Sequence, residues 1–262
     1  MVIKLRKYLC MDSSRAFISW NFLISIIGMV CILIWGSDKD SIMDGNIIRQ
    51  IWFSTYGVQF LIIMLMGAIP YAGAMCEDME YGYIRQLVLR GNLLSYCISK
   101  AVTIFMSALM SFVLGIIIFV IILKRQNDWF DITDYVCIAA ARSGSFRVCI
   151  ANEQYFTYIV LFAVQLGMLI GLLAILSAYI SLYISNKLLV LSIPIMAYYF
   201  ITQYIVEMFP KSKYTNINMI YTGTANIFDN DILSFLYTIV VTVILGGGLT
   251  YMIYCRLKSI NS

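Results

Sequence analysis

Histidine is absent from this 262-residue chain. That removes histidine general bases, histidine metal ligands and histidine proton relays. Charge is scarce as well: 12% of residues are Asp, Glu, Lys or Arg, against roughly 25% in a soluble domain. The seven cysteines include no C-x-x-C pair, so neither a zinc knuckle nor a thioredoxin-like motif is present, and no metal site is expected. No glycine is followed directly by lysine, which excludes a phosphate-cradling G-x-x-x-x-G-K-[ST] loop. Neither covalent catalysis nor ATP hydrolysis is therefore expected of these residues, and no cofactor is expected on this chain.

What is present is apolar. Hydrophobic residues make up 61% of the chain, mean hydropathy is +0.86, and formal net charge is only +4. A chain of this size cannot hide so much apolar surface and still keep a polar exterior, so its solvent is lipid. The small basic excess suits membrane loops better than a nucleic-acid surface.

Crossing the hydrocarbon takes about 20 helical residues. Uncharged apolar stretches of that order occur six times, at Ala16–Trp35, Ile51–Cys76, Ala101–Leu123, Phe156–Ile184, Leu188–Val206 and Ile232–Tyr254. Barrel strands would instead alternate in polarity over about ten residues. The expected fold is an all-α integral membrane bundle of six transmembrane helices, a single domain over residues 1–262. The first stretch is too long for a signal-peptide core and has no A-x-A site after it, so it reads as a retained helix. Residues 1–15 suit an interfacial helix, with Ile3, Leu5, Tyr8 and Leu9 as its apolar positions.

Ten Lys and Arg residues fall on the side of the N-terminus and eight on the other. With Lys4, Arg6, Lys7 and Arg15 before the first span, both termini are expected in the cytoplasm. Two outer loops are then long. Lys124–Tyr155 mixes aromatics with Asp128, Asp131 and Asp134, and contains Cys137 and Cys149, which are free thiols or a loop disulfide. Glu207–Asp231 carries enough apolar residues to dip into the membrane interface or pack on the bundle, with an ordinary surface loop as the alternative.

No span contains an Asp, Glu, Lys or Arg. Ion-coupled carriers and voltage sensors keep such groups at depth, so any uphill transport would draw its energy from outside the lipid. Uncharged polar residues do lie at depth. Asn21, Gln59, Gln165 and Gln203 either bond between helices or line a substrate path. Gly167, Gly171, Ala174, Ala178, Ser181 and Ser185 form a small-residue seam along the fourth span. It suits close helix packing within the chain or at a subunit interface.

Between spans two and three lies CEDMEYGYIRQLVLRGNLLSYCISK, residues 76–100. Glu77, Asp78 and Glu80 precede Arg85 and Arg90, the order a helix dipole favours, and Gly91 follows as a stop. Tyr81, Ile84, Leu87 and Val88 recur at helical spacing. The segment predicts a short amphipathic helix on the cytoplasmic membrane surface, whose plainest role is to anchor the loop.

This segment, set in a six-span layout, resembles the permease subunits of bacterial type-2 ABC transporters. The matching residues are Glu77 or Asp78, Gly82, Arg90, Tyr96 and Lys100. The resemblance implies that Glu77–Gly91 is the coupling helix that docks on a separate ABC ATPase subunit, which would hold ATP and Mg. Tyr81, Ile84, Leu87 and Val88 would then form its packing face. Glu77, Asp78, Glu80, Gly82, Arg85 and Arg90 would complete the contact. It further implies a second permease, identical or related, and a place in the bacterial plasma membrane. Export of an antimicrobial peptide or another amphipathic toxic compound is the expected activity. The rival expectation is a non-transporting membrane scaffold or sensor, and behind it an ion-coupled carrier. The Lys124–Tyr155 loop is longer than the simplest members require.

Overall fold

A computed structural model of the chain describes residues 2–37, 45–83, 92–184, 186–202, 214–223 and 225–261. Among them the regular structure is helical, and the only β pairing is an isolated bridge between Asn46 and Asp128. In chain order the helices are α1 (Val2–Phe17), α2 (Trp20–Gly36), α3 (Ile47–Ser54), α4 (Val58–Ala68), α5 (Ala74–Glu80) and α6 (Leu93–Leu123). They continue with α7 (Tyr135–Ser143), α8 (Arg147–Ala151), α9 (Tyr155–Ile180), α10 (Lys187–Phe200), α11 (Ile217–Tyr221) and α12 (Asp231–Asn261).

Three helices, α6, α9 and α12, are each long and apolar enough to cross a membrane. Two bent pairs raise the number to five if each pair is one span: α1 with α2, at 52°, and α3 with α4, at 76°. The all-α expectation holds, and the described residues contain three to five helices or helix pairs able to span a bilayer. The bends have local causes. Ser19 leaves the helical region, and its side chain caps α2 by accepting from the Phe22 amide at 3.2 Å. Gly57 separates α3 from α4 at φ +85, a conformation that side chains with a Cβ avoid. The fifth apolar stretch is a 14-residue helix, α10, with Pro194 inside it; its continuation from residue 203 lies outside the described residues.

The core is the packing of α6 on α9, with α2 and α4 closing one side. The predicted small-residue seam faces this contact. A Cβ on Gly171 would come within 2.6 Å of the Phe105 ring, and one on Gly167 would meet Leu109 and Phe112 at 3.4–3.5 Å. Ala174, Ala178 and Ser181 continue the buried line, while Ser185 is outside the described residues. Gly67 lets α4 approach α9 closely; a Cβ there would collide with Ile170 Cγ2. By contrast α12 is the most peripheral of the long helices and shows Val240, Val243, Ile244 and Tyr251 outward.

Successive long elements run in opposite directions. Ser25 on α2 donates to the Met66 carbonyl near the end of α4 at 2.7 Å, while Gly36 at the other end of α2 meets Gln59 at the start of α4. The chain thereby places α1, α5, the start of α6 and the end of α12 at one end of the bundle. The turns before α3 and α12 lie at the other.

Candidate functional site

The end of the bundle that gathers α1, α5 and α6 holds the densest cluster of buried charge among the described residues. Lys100 sits two turns inside α6 and is 1% exposed; Asp12 on α1 is 0% and Asp78 on α5 is 4% exposed. Its ammonium makes three short contacts, to Asp78 Oδ2 at 2.8 Å, Asp12 Oδ1 at 3.2 Å and the Tyr71 hydroxyl at 2.8 Å. The carboxylates are satisfied in turn. Tyr71 Oη donates to Asp12 Oδ1 at 2.8 Å and Ser99 Oγ to Asp12 Oδ2 at 2.5 Å. Tyr96 Oη donates to Asp78 Oδ2 at 2.7 Å, and the half-exposed Arg15 reaches Asp78 Oδ1 at 3.6 Å. The rings of Tyr71 and Tyr96 also face the ammonium, with centroids at 4.7 and 5.7 Å.

Two carboxylates and two cations leave the cluster formally neutral. Every oxygen and every ammonium proton has a partner, and that completeness is what makes buried ions tolerable in a low-dielectric interior. The cluster joins three stretches distant in sequence, residues 12–15, 71–78 and 96–100. A further ion pair, Lys187 Nζ to Glu77 Oε1 at 3.0 Å, ties the start of α10 to α5 at the same end and is well exposed.

The structure changes where the predicted helix starts. Glu77, Asp78 and Glu80 do not open an amphipathic helix at Glu77. They close α5, whose C-cap is Tyr81, and Gly82 follows at φ +67. A glycine in that conformation is a strong helix stop, so the three acidic residues belong to an element that ends before Gly82. Of the expected docking residues, Tyr81 is 78% exposed and Glu80 is exposed as well. Ile84, Arg85, Leu87, Val88 and Arg90 lie outside the described residues. Lys100, expected at the mouth of a span, is a buried residue of α6.

Asp12, Tyr71 and Ser99 are absent from the sequence-based set of site residues. Asp12 had a signal: it lies four residues after Tyr8 and four before Ala16, on the face by which α1 packs on α6. A carboxylate on the buried stripe of a helix needs a cation, and Lys100, like Arg15, follows a serine and heads an uncharged run.

The polar residues expected at depth do not converge. Asn21 is exposed in the first turn of α2, Gln59 is half-buried beside Gly36 and Gly57, and Gln203 is outside the described residues. Gln165 alone is fully enclosed and donates to the Ile220 carbonyl at 2.6 Å. That bond draws α11 onto the bundle, where Tyr221 is buried and its hydroxyl lies 2.9 Å from Thr242 Oγ1. A cavity of about 290 Å³ lies nearby between α3, α4, α9, α10 and α11. Trp52, Tyr56, Phe60, Phe162, Tyr198 and Asn218 are among its walls.

The opposite end is closed by the long loop, which folds into α7 and α8. Asp134 caps α7 by accepting from the Val136 amide at 2.7 Å and pairs with Arg49 at 2.9 Å. Asn46 caps α3, receives the Cys137 thiol at 3.0 Å and donates to Asp134 at 3.3 Å. Cys137 and Cys149 are not joined, so the disulfide alternative is not realised. Burial pushes the Cys137 thiol up to about 11. Asp231 at the start of α12 accepts from the Val148 amide at 3.0 Å, and Arg147 donates to the Asp229 carbonyl at 2.7 Å. Among the described residues no group of three metal-ligating side chains comes together. Compared with models of known families, with curated proteins and with solved structures, the chain matches none of them.

Proposed function

We propose that this chain is the membrane-spanning permease subunit of an ATP-driven type-2 ABC exporter. Its six apolar stretches would cross the bacterial plasma membrane with both termini in the cytoplasm. The energy would come from ATP and Mg held on a separate ATPase, and a second permease, identical or related, would complete the pore.

The observation that carries this reading is the anchoring of the segment between α5 and α6. On either side of it Asp78, Tyr96 and Lys100 are bonded to one another and to Asp12 on α1. A push on this segment therefore reaches α1, α5 and α6 together. A loop that served only to connect two spans would have no need of a buried ion cluster at its root, where each ion costs several kcal/mol to desolvate. ATP binding on the partner does work only through differential affinity for two arrangements of the bundle, and this root is where such a difference would enter.

The aromatic cavity between α3, α4, α9, α10 and α11 favours an apolar or amphipathic cargo, in keeping with a toxic peptide or similar compound. The test is a mild-detergent pull-down of the tagged chain from its native membranes, with partner identification and an ATPase assay. A stoichiometric soluble ATPase is expected, with stimulated hydrolysis lost in Leu87→Asp. A stable partner without nucleotide-binding motifs would move the assignment to a scaffold or sensor.

A further inference from the structure

Helix α6 ends, at the end of the bundle away from Lys100, in two adjacent cations. Lys124 and Arg125 are both exposed, and among the described residues neither is in an ion pair. The neighbouring carboxylate of Asp131 is engaged by the amide and hydroxyl of Thr133, at 2.8 and 2.7 Å. Lys124 instead lies over the Trp129 ring, with its ammonium 4.7 Å from the centroid. Around the two cations is a hollow of about 340 Å³ walled by Val120, Ile121, Lys124, Arg125, Trp129 and Phe156.

The helix below this hollow is apolar and uncovered. Leu114, Ile118, Ile121 and Ile122 are 39–57% exposed and fall on one stripe that leads up to Arg125. The helix dipole accounts for one basic residue after a last turn. It does not account for a second cation, an aromatic wall and a hollow at the top of a lipid-facing stripe. Cations with Trp at the boundary of an apolar helix are the setting in which phosphate headgroups are held.

We propose that the end of α6 binds the headgroup of an anionic phospholipid, with an acyl chain along the Leu114–Ile122 stripe. Two positive charges match a phosphodiester that carries no compensating ammonium, so a zwitterionic lipid would place its own cation beside Lys124 or Arg125. This surface is independent of the ATPase contact and of the direction of transport.

The test uses the full chain in detergent, with its melting temperature followed as dioleoyl phosphatidylglycerol, dioleoyl phosphatidylcholine or inorganic phosphate is added. Phosphatidylglycerol is expected to raise the midpoint, less so at high salt, and the other two are not. The double variant Lys124→Gln, Arg125→Gln should melt normally without lipid, since both side chains are exposed. It should need about thirtyfold more phosphatidylglycerol for the same shift. Lys258→Gln, at the other end of the bundle, should behave as wild type. Equal stabilisation by phosphatidylcholine would overturn the proposal, as would an unchanged response in the double variant. A full shift with phosphate alone would show a free-anion site and overturn the lipid assignment.

Discussion

Both ends of the bundle bury charge, but they do so by different means. At the α1–α5–α6 end, Asp12, Asp78 and Lys100 are almost wholly enclosed and bonded to one another. At the opposite end the Arg49–Asp134 pair keeps a partly exposed arginine, and most of the cohesion comes from separate hydrogen bonds. Helix caps at Asn46 and Asp134, and the bonds from α8 to the start of α12, hold that end together. The first arrangement demands one geometry, because any displacement strands an ion in low dielectric. The second can lose a bond to water at small cost. One end is therefore suited to carrying a displacement as a unit and the other to opening in parts.

The largest expected effect comes from Lys100→Met, which leaves two carboxylates buried without their shared cation. Loss of a buried partner costs about 3–5 kcal/mol, so the melting temperature in detergent should fall steeply. Adding Asp12→Asn and Asp78→Asn to Lys100→Met should recover most of that loss, since no uncompensated ion remains. A triple variant as unstable as the single one would show that the lysine acts by packing rather than by charge.

At the other end, Asp134→Ala removes a helix cap and a partly exposed ion pair, for about 1–2 kcal/mol. If it matched Lys100→Met, the contrast between the two ends would fail. Next comes a chemical rather than energetic effect. Cys137, with its thiol raised to about 11, has little thiolate at pH 8, so a maleimide should label it slowly there. The rate should climb as pH rises toward 11, while the less buried Cys149 reacts first. The smallest effect is expected for Lys187→Gln, because its pair with Glu77 is solvent-exposed; stability should change by about 0.5 kcal/mol or less.

Much of the architecture is legible in the sequence, because the 3.6-residue period and long uncharged runs report helices that face lipid. The last residue of α6 and the first residues of α9 and α12 follow from them to within one position, whereas α6 starts earlier, α9 ends earlier and α12 runs further than the uncharged runs. The approach of small residues at Gly167 and Gly171 was legible too. The bends were not legible. Gly57 and Ser19 break their helices through backbone conformations that hydropathy averages away. Acidic residues before basic ones read as a single dipole-matched helix from Glu77, whereas α5 ends at Glu80 with Gly82 at positive φ just after its cap, a backbone conformation that overrides charge order. The buried cluster was half legible. Asp78, Tyr96 and Lys100 belonged to the recognised segment, but Asp12 lies 88 positions before Lys100, and only the packing of α1 on α6 brings it there.

The most direct test of the account is photo-crosslinking from position 81. Tyr81 is exposed at the C-cap of α5, and it lies outside the buried cluster. A photoreactive amino acid there, activated in native membranes, should capture a soluble ATPase, with a yield that changes when ATP is added. Crosslinks only to lipid, or only to a partner without nucleotide-binding motifs, would contradict the coupling role assigned to this end of the protein.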